Sequence, residues 1–430
     1  MLDLRYIREN ANTVAENCKN RGVRADVGLV VEMADRRSEL IQELNGLKQR
    51  QNERAKSVGK ERDPEARERL IAESRGMKEL VPEKEAELTV LEERLREEML
   101  KIPNMTHPDS PIGRDDTENV EIRRVGEVPE FPFEPKDHVE IGESLGIIDF
   151  EAGTKVAGSK FYFLRGDAVL LELGLVRYAM DKLIGYGYEP VITPDLARDE
   201  ALVGTGFIPR GPETQIYSVE DSELSLVATA EITLAGSLAG EILEGEKLPL
   251  RLAGLSHCFR TEAGSHGRAS RGLYRVHQFT KVEMFAFAEP GQSEALHEEM
   301  VGIEEEIFQG LGVPYRVVDI CTGDLGGAAY RKYDLEAWMP GRNAYGEITS
   351  TSNTTDYQAR RLQIRYREEG GRPQFLHTLN GTAIAVSRAL IPILENYQQE
   401  DGSVLVPEAL VPYVGKKTLE LVDNRTPRGR

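Results

Sequence analysis

The segment Phe259-Arg260-Thr261-Glu262-Ala263-Gly264-Ser265-His266-Gly267-Arg268-Ala269-Ser270-Arg271-Gly272 concentrates the side chains of phosphate chemistry. An arginine and a glutamate two apart at a strand end share one face, and the loop beyond adds Arg268 and Arg271 among glycines. Arginine offers phosphate a planar, permanently charged fork, and glycine lets backbone approach a ligand closely. An exposed hairpin loop with surface ion pairs could carry the same residues, so the surroundings decide. The return strand holds Arg275-Val276-His277-Gln278-Phe279-Thr280-Lys281-Val282-Glu283, and downstream Thr378-Leu379-Asn380-Gly381-Thr382 leads into a helix carrying Arg388. His257, His266 and His277 lack paired ligand spacing, so no zinc is expected.

These residues sit in a chain of 430 amino acids, long enough for one to three domains. With 40% hydrophobic residues it can build a core without disulfides or metal. Its net charge of -19 disfavours coating nucleic acid through bulk positive charge, although a local basic patch would suffice for binding. Three scattered cysteines exclude a disulfide framework and a four-cysteine zinc site, and they suit a reducing compartment. No apolar run reaches the ~18 residues of a membrane span. Met1–Ala11 carries Asp3, Arg5, Arg8 and Glu9 where a signal peptide would be apolar. A soluble, cytoplasmic protein is expected, with no membrane partner.

The first hundred residues differ from the rest. Alternate steps of three and four pick out Val30, Met33, Arg37, Leu40, Leu44, Leu47, Gln51, Arg54 and Val58, then Leu70, Ser74, Met77, Val81, Lys84, Leu88, Leu91, Leu95, Glu98 and Ile102. That is a narrow heptad seam. Gly59 reads as a stop, and Asp63-Pro64 as an N-cap followed by proline at the first helical position. The spacing predicts an antiparallel helical hairpin over about 27–102, bent at Pro82 and standing off the body. Leu44–Lys78 holds ten Lys/Arg against six Asp/Glu, a local excess of positive charge. A solvated face with intrahelical ion pairs explains this, and so does a phosphate-binding finger. From about Phe161 the pattern is mixed. Strands at 252–260, 273–288, 315–321, 333–339, 344–351 and 374–379, and helices over 167–184 and about 382–397, predict an α+β fold. Its core is an antiparallel β-sheet flanked by helices. Domains are expected at 1–110 and 111–415, with 416–430 a flexible tail.

Arg-x-Glu on a strand–loop–strand, followed by a Gly-rich strand-to-helix segment with one arginine, resembles motifs 2 and 3 of class II aminoacyl-tRNA synthetases. Further segments resemble the bacterial type of seryl-tRNA synthetase. They are Thr229-Ala230-Glu231, Arg271-Gly272-Leu273, His277-Gln278-Phe279, Cys321-Thr322-Gly323-Asp324-Leu325-Gly326, Gln358-Ala359-Arg360-Arg361 and Glu395-Asn396-Tyr397-Gln398 followed by Asp401-Gly402. The resemblance covers nearly the whole chain. It implies a homodimeric ligase that activates L-serine with Mg2+ and ATP and passes the seryl group to tRNA(Ser), and to tRNA(Sec) where one exists. The segment around Gly187–Pro194 would lie near the dimer interface.

Carried over by position, the resemblance makes Arg260 and Arg388 catalytic. Arg260 would bridge the α-phosphate and the serine carboxylate, while Arg388 and Arg271 would hold the outer phosphates. Thr261 and Glu262 would meet the nucleotide, Glu262 accepting from the adenine amino group. Phe279 would stack on the purine and Val276 lie against it. Glu347, Ile348, Thr349 and Ser350 would line the ATP site, with Glu347 and Ser350 holding magnesium. Thr229, Ala230, Glu231, Glu283 and Thr382 would surround serine. Lys48, Arg50, Arg54, Lys56 and Arg75 would meet the long variable arm of the tRNA. Thr382, a good N-cap type, would also cap the helix that follows. The zinc-dependent seryl enzymes of some methanogens need a cysteine ligand that is not seen here. Thr349, Thr351, Thr354 and Thr355 stand where bacterial relatives often show Ser or Cys, and Val227-Ala228 where Ile-Pro is common. Two other readings are a paralogue loading an amino acid onto a carrier protein, which usually lacks the arm, and a non-catalytic tRNA-binding protein. The latter would be expected to have lost Arg260, Glu262, Glu347 or Arg388.

Overall fold

The computed structural model describes residues 1–209, 214–263 and 272–421, except the side chains at 73, 74, 76, 77 and 79. It forms two compact units, Met1–Met105 and Thr106–Arg430.

In the first unit, helix α1 (Val27–Lys60) and helix α2 (Pro64–Lys101) run side by side. Asp26 accepts from the Leu29 N–H at 2.8 Å, and Asp63 from the Ala66 N–H at 3.2 Å, each satisfying a donor that a helix start leaves open. The helix runs past Gly59 to Lys60, and α2 continues through Pro82. An isolated glycine costs a helix only about 1 kcal/mol, which the turns around it outweigh. Val30, Met33, Leu40, Leu44 and Leu95 are buried along the seam. Gln51, Arg54, Val58, Val81 and Leu88 are half-buried among exposed neighbours. Two helices alone can bury only this narrow stripe. Arg36–Glu87 and Arg37–Glu92, both at 2.7 Å, cross from α1 to α2. Being exposed, these pairs select the register more than they hold the helices together.

The second unit is built on an eight-stranded sheet. Its strands are β1 (Val120–Val125), β2 (Glu189–Ile192), β3 (Leu250–Phe259), β4 (Gln278–Ala288), β5 (Tyr315–Asp319), β6 (Arg331–Met339), β7 (Ala344–Thr355) and β8 (His377–Ala385). They lie in the order β1-β5-β6-β7-β8-β4-β3-β2. All neighbours are antiparallel except the β2·β3 pair at one edge. The alternation along β4 sorts its side chains. Val282, Met284, Ala286 and Ala288 enter the main core with helices α3 (His138–Ser144), α4 (Asp167–Gly185), α5 (Ser293–Gly310) and α6 (Val386–Asn396). On the other face Phe285 and Phe287 pack against a smaller cluster with Ala230, Leu234 and Leu376. That leaves Phe279, Lys281 and Glu283 in line at the remaining end of the face.

Three expectations change. Residues 273–277 are not strand, and β4 begins at Gln278. Thr382 does not cap a helix, because pairing with Glu283 keeps β8 extended to Ala385 and α6 starts at Val386. The tail is not wholly flexible: Thr418–Leu419 pairs with Val404–Leu405, Lys416 Nζ reaches Asp167 at 2.6 Å, and Leu419 anchors in the core. Residues 422–430 lie outside the described part.

Candidate active site

A Cβ on Gly254 of β3 would stand 2.9 Å from the Ala230 Cβ and 2.8 Å from the Leu234 Cδ1. Its absence lets the turn at Thr229 and the short helix Glu231–Gly236 lie against the sheet. Thr229 and Glu231 thereby reach the side chains of β4. Lys281 Nζ donates to Thr229 Oγ1 at 2.7 Å and forms a close ion pair with Glu283. Thr382 Oγ1 donates to Glu283 at 3.4 Å. Glu231 Oε1 accepts from Gln358 Nε2 at 2.6 Å and from Asn380 Nδ2 at 3.0 Å. Burial, reinforced by the Glu283 charge, pushes the Glu231 carboxyl up to about 7, against the pull of Gln358, Lys281 and Arg260. Burial raises Glu283 as well. The pocket therefore holds two buried carboxyls against one ammonium.

At the end of β3 the backbone is pinned from both sides. The Arg260 N–H donates to the His277 carbonyl at 3.0 Å, and Thr261 donates its N–H to Gln215 and its hydroxyl to Thr214. Glu262 takes a left-handed conformation, φ +50°, which costs a non-glycine residue on the order of 1 kcal/mol, and its carboxylate pairs with Arg275 at 3.3 Å. The Arg260 guanidinium lies 5.3 Å from the Phe279 ring centre. Its charge helps to lower the proton affinity of Glu231, Glu283 and Glu347, so it stands between the two halves of the site. Val276, next to His277, is buried, whereas Arg271 and residues 264–270 lie outside the described part.

A β-bulge builds the other half. Leu335 pairs with Thr349 and Glu336 with Glu347, which leaves Ile348 as an extra residue on β7. Glu347 therefore shares a face with Ser350, opposite Glu336 and Asp334, while Thr349 turns to the other side. Arg388, in the first turn of α6, pairs with the Glu347 carboxylate at 2.9 Å and donates to its carbonyl at 3.3 Å. Burial would raise the Glu347 carboxyl, but Arg388, Lys332 and Arg260 outweigh it and hold it at about 2. Asp334, across from Ser350, takes Lys332 Nζ at 3.1 Å on one oxygen, while its Oδ1 is buried without a partner. Among the described residues no three His, Cys, Asp or Glu side chains form a metal-binding group. Two hard-oxygen donors, Glu347 and Ser350, instead suit a small divalent cation that shares its ligation with phosphate.

Behind this strand Glu304 of α5 is fully buried and accepts from the hydroxyls of Thr349 and Thr351. Burial pushes its carboxyl well above the usual range. Folded Glu304 keeps a proton that the unfolded chain loses, so stability falls as pH rises from the ordinary carboxyl range towards the folded value. Glu304→Gln keeps a neutral acceptor and removes this pH dependence. Above the ordinary carboxyl range, urea unfolding should shift in favour of the variant as pH rises, by at most about 1.4 kcal/mol per pH unit. A difference that does not change with pH would mean that Glu304 is not protonated.

Residues 216–397 match the tRNA synthetase class II core domain (G, H, P, S and T), and residues 1–106 the Seryl-tRNA synthetase N-terminal domain. A serine--tRNA ligase of Rubrobacter xylanophilus is 74% identical over 419 residues, covering 97% of this chain and 99% of that protein. The chain belongs to the seryl-tRNA synthetase family. The crystal structure of seryl-tRNA synthetase from Pyrococcus horikoshii complexed with ATP is similar, with a TM-score of 0.93 and 41% identity over 98% of this chain and 100% of that one. A cytoplasmic serine-tRNA ligase from Naegleria fowleri in complex with AMP gives a TM-score of 0.86 at 35% identity, over 98% and 99%.

Every described residue that the resemblance assigned to the synthetase's serine and ATP sites lies in the second unit, and most meet on one face of the sheet. Ala230 contributes packing against Gly254, and Ile348 and Thr349 are buried behind Glu347. In the first unit Lys48, Arg50, Lys56 and Arg75 are exposed and Arg54 is half-buried, with Lys48 paired to Glu85 at 2.7 Å. Sequence reasoning assigned no role to Lys281, Asn380, Gln358 or Asp334. The two-residue period from Phe279 through Lys281 to Glu283 was the signal for Lys281. The others join the site only through strand pairing.

Proposed function

We infer that the chain is an ATP-dependent ligase that charges tRNA with serine. The observation that carries this is the pairing of two fixed cations, Arg260 and Arg388, with a buried carboxyl pocket on one sheet face. In the first step a serine carboxylate oxygen bonds to the α-phosphorus as the bond to the bridging oxygen breaks, and diphosphate leaves. In the second, a terminal ribose hydroxyl of the tRNA attacks the seryl carbonyl carbon and AMP leaves. Two anions must meet in the first step, so the site needs placed positive charge more than an acid or base. Arg260 would bridge carboxylate and α-phosphate, Arg388 and Arg271 would hold the outer phosphates, Phe279 and Val276 the purine, and Glu262 its amino group. Glu347 and Ser350 would hold Mg2+, and the unpartnered Asp334 Oδ1 across from Ser350 on β6 fits that role. When bound, the ion neutralises and orients phosphate oxygens.

Thr229, Glu231, Glu283 and Thr382 would surround the ammonium and hydroxyl of serine. Alanine would leave a buried acceptor unpaired, at about 1–3 kcal/mol per group. Serine-dependent ATP–diphosphate exchange over a panel of amino acids, followed by charging of tRNA(Ser), tests the reading. Exchange with no amino acid would overturn it.

Glu231 makes serine binding depend on pH. Its folded value of about 7 lies above the ordinary one, so the apo pocket holds a proton below pH 7 and loses it above. A bound ammonium favours the ionised form. Serine affinity should therefore rise about ten-fold between about pH 6 and 8, with release of a proton. Glu231→Gln should bind more weakly and flatten the profile. Calorimetry in buffers of different ionisation enthalpy reads both effects.

A homodimer is supported by apolar side chains that α4 and the edge strand β2 leave open, Leu173 at 61% and Ile192 at 82% exposure. The basic face of the hairpin supports tRNA binding, and a tRNA(Sec) with a similar long arm would be charged too. Among the described residues no helix is long and apolar enough to cross a membrane.

A further inference from the structure

Tyr274 carries two guanidinium groups. Arg388 lies 4.9 Å from its ring centre, and Arg342, from the turn between β6 and β7, lies 4.0 Å away. Arg388 is committed to Glu347. Arg342 is exposed, and among the described residues no carboxylate pairs with it. We propose that Arg342 is an additional ligand for the outer phosphates of ATP and for the diphosphate that leaves, presented by Tyr274 beside Arg388. The inference rests on the ATP site described above.

The positioning is built in. Glu395 of α6 accepts from the Gly341 N–H at 2.9 Å with one oxygen, and from the backbone N–H and ring Nδ1 of His138 at 3.0 and 2.8 Å with the other. His138 Nε2 in turn accepts the Leu273 N–H at 3.1 Å. One buried carboxylate therefore fixes the residue before Arg342 and, through His138, the residue before Tyr274. Glycine is required at both ends of this junction. A Cβ on Gly341 would stand 2.7 Å from the Asp137 Cβ, and one on Gly272, φ +89°, would stand 2.1 Å from His138 Nε2. Asn343, φ +50°, then turns the chain back into β7. Such an anchor is more than a solvated surface arginine needs. It holds a charged fork over an aromatic ring, next to a second fork, on the side of the sheet that carries Glu347.

The test is equilibrium binding of ATP and of AMP to the full chain with magnesium, for Arg342→Gln and Arg388→Ala. Arg342→Gln should weaken ATP about ten-fold, the loss of one charge-assisted contact, and leave AMP, which lacks the outer phosphates, unchanged. In diphosphate exchange the KM for diphosphate should rise by a similar factor while the KM for serine stays the same. Equal weakening of ATP and AMP would mean that Arg342 only supports the fold, and unchanged ATP affinity would mean that it touches nothing. Either result overturns the inference. If Arg388→Ala also left ATP affinity intact, the ATP site itself would be misplaced and the inference would fall with it. A loss confined to Arg388→Ala overturns the inference alone.

Discussion

Arg388→Ala should lower serine-dependent ATP–diphosphate exchange by about three orders of magnitude in kcat/KM, in protein whose thermal melt shows it folded. Removing one preorganised donor to a developing charge typically costs about 10²–10³ in rate. Here the loss is compounded, because the same guanidinium leads the three cations that hold Glu347 ionised. Without it, burial raises the Glu347 carboxyl, and the donor proposed for Mg2+ weakens together with the phosphate contact. Arg388→Lys restores a charge but not the planar fork, whose Nη1 alone makes both contacts to Glu347 and leaves the other nitrogens for phosphate, so recovery should be partial. The effect should appear in kcat more than in the KM for serine, since the serine side chain meets other residues. A decline of less than ten-fold would remove Arg388 from the catalytic machinery.

The second large effect belongs to the hairpin. Arg50→Glu, Lys56→Glu and Arg75→Glu combined should reduce tRNA charging by about 10²-fold at ~0.1 M salt. Exchange without tRNA should be unaffected. These three are exposed, and among the described residues Arg50 reaches only the Gly46 carbonyl at 3.3 Å, whereas the Lys48 charge is already paired with Glu85. Phosphate contacts release counterions, so the salt dependence of charging should become shallower in the triple variant. Undiminished charging with an unchanged salt slope would return this face of the helices to a merely solvated surface.

The hairpin was legible because its information is local and repeated. A seam recurs every three or four residues, and Asp63-Pro64 states where a helix starts. Arg260, Glu262 and Arg388 stood out as candidates because few chemistries ask for those side chains in that order. Lys281 and Asn380 were not, since what makes them site residues is Gly254 on one neighbouring strand and Glu231 on a helix that Gly254 admits. Strand ends failed for the same reason. Thr382-Ala383-Ile384-Ala385 fits a helix start as well as a strand, and only pairing with β4 settles it. The apolar anchor Leu419 could not be told from a loose tail residue without the core it enters.

The extra residue at Ile348 makes this site sensitive to chain length in a way that composition does not reveal. Trading one side chain for another along β7 alters one contact at a time, and such changes can accumulate gradually. Beyond the bulge, losing or gaining a single position would turn every later side chain to the opposite face and take Thr351 out of the layer that holds Glu304, whereas only Ile348 itself could be lost with Glu347 still opposite Glu336 and Thr349 opposite Leu335. Drift along this strand is thus free to explore residue identity while its number of residues beyond the bulge stays locked, and insertions are confined to the turns at its ends.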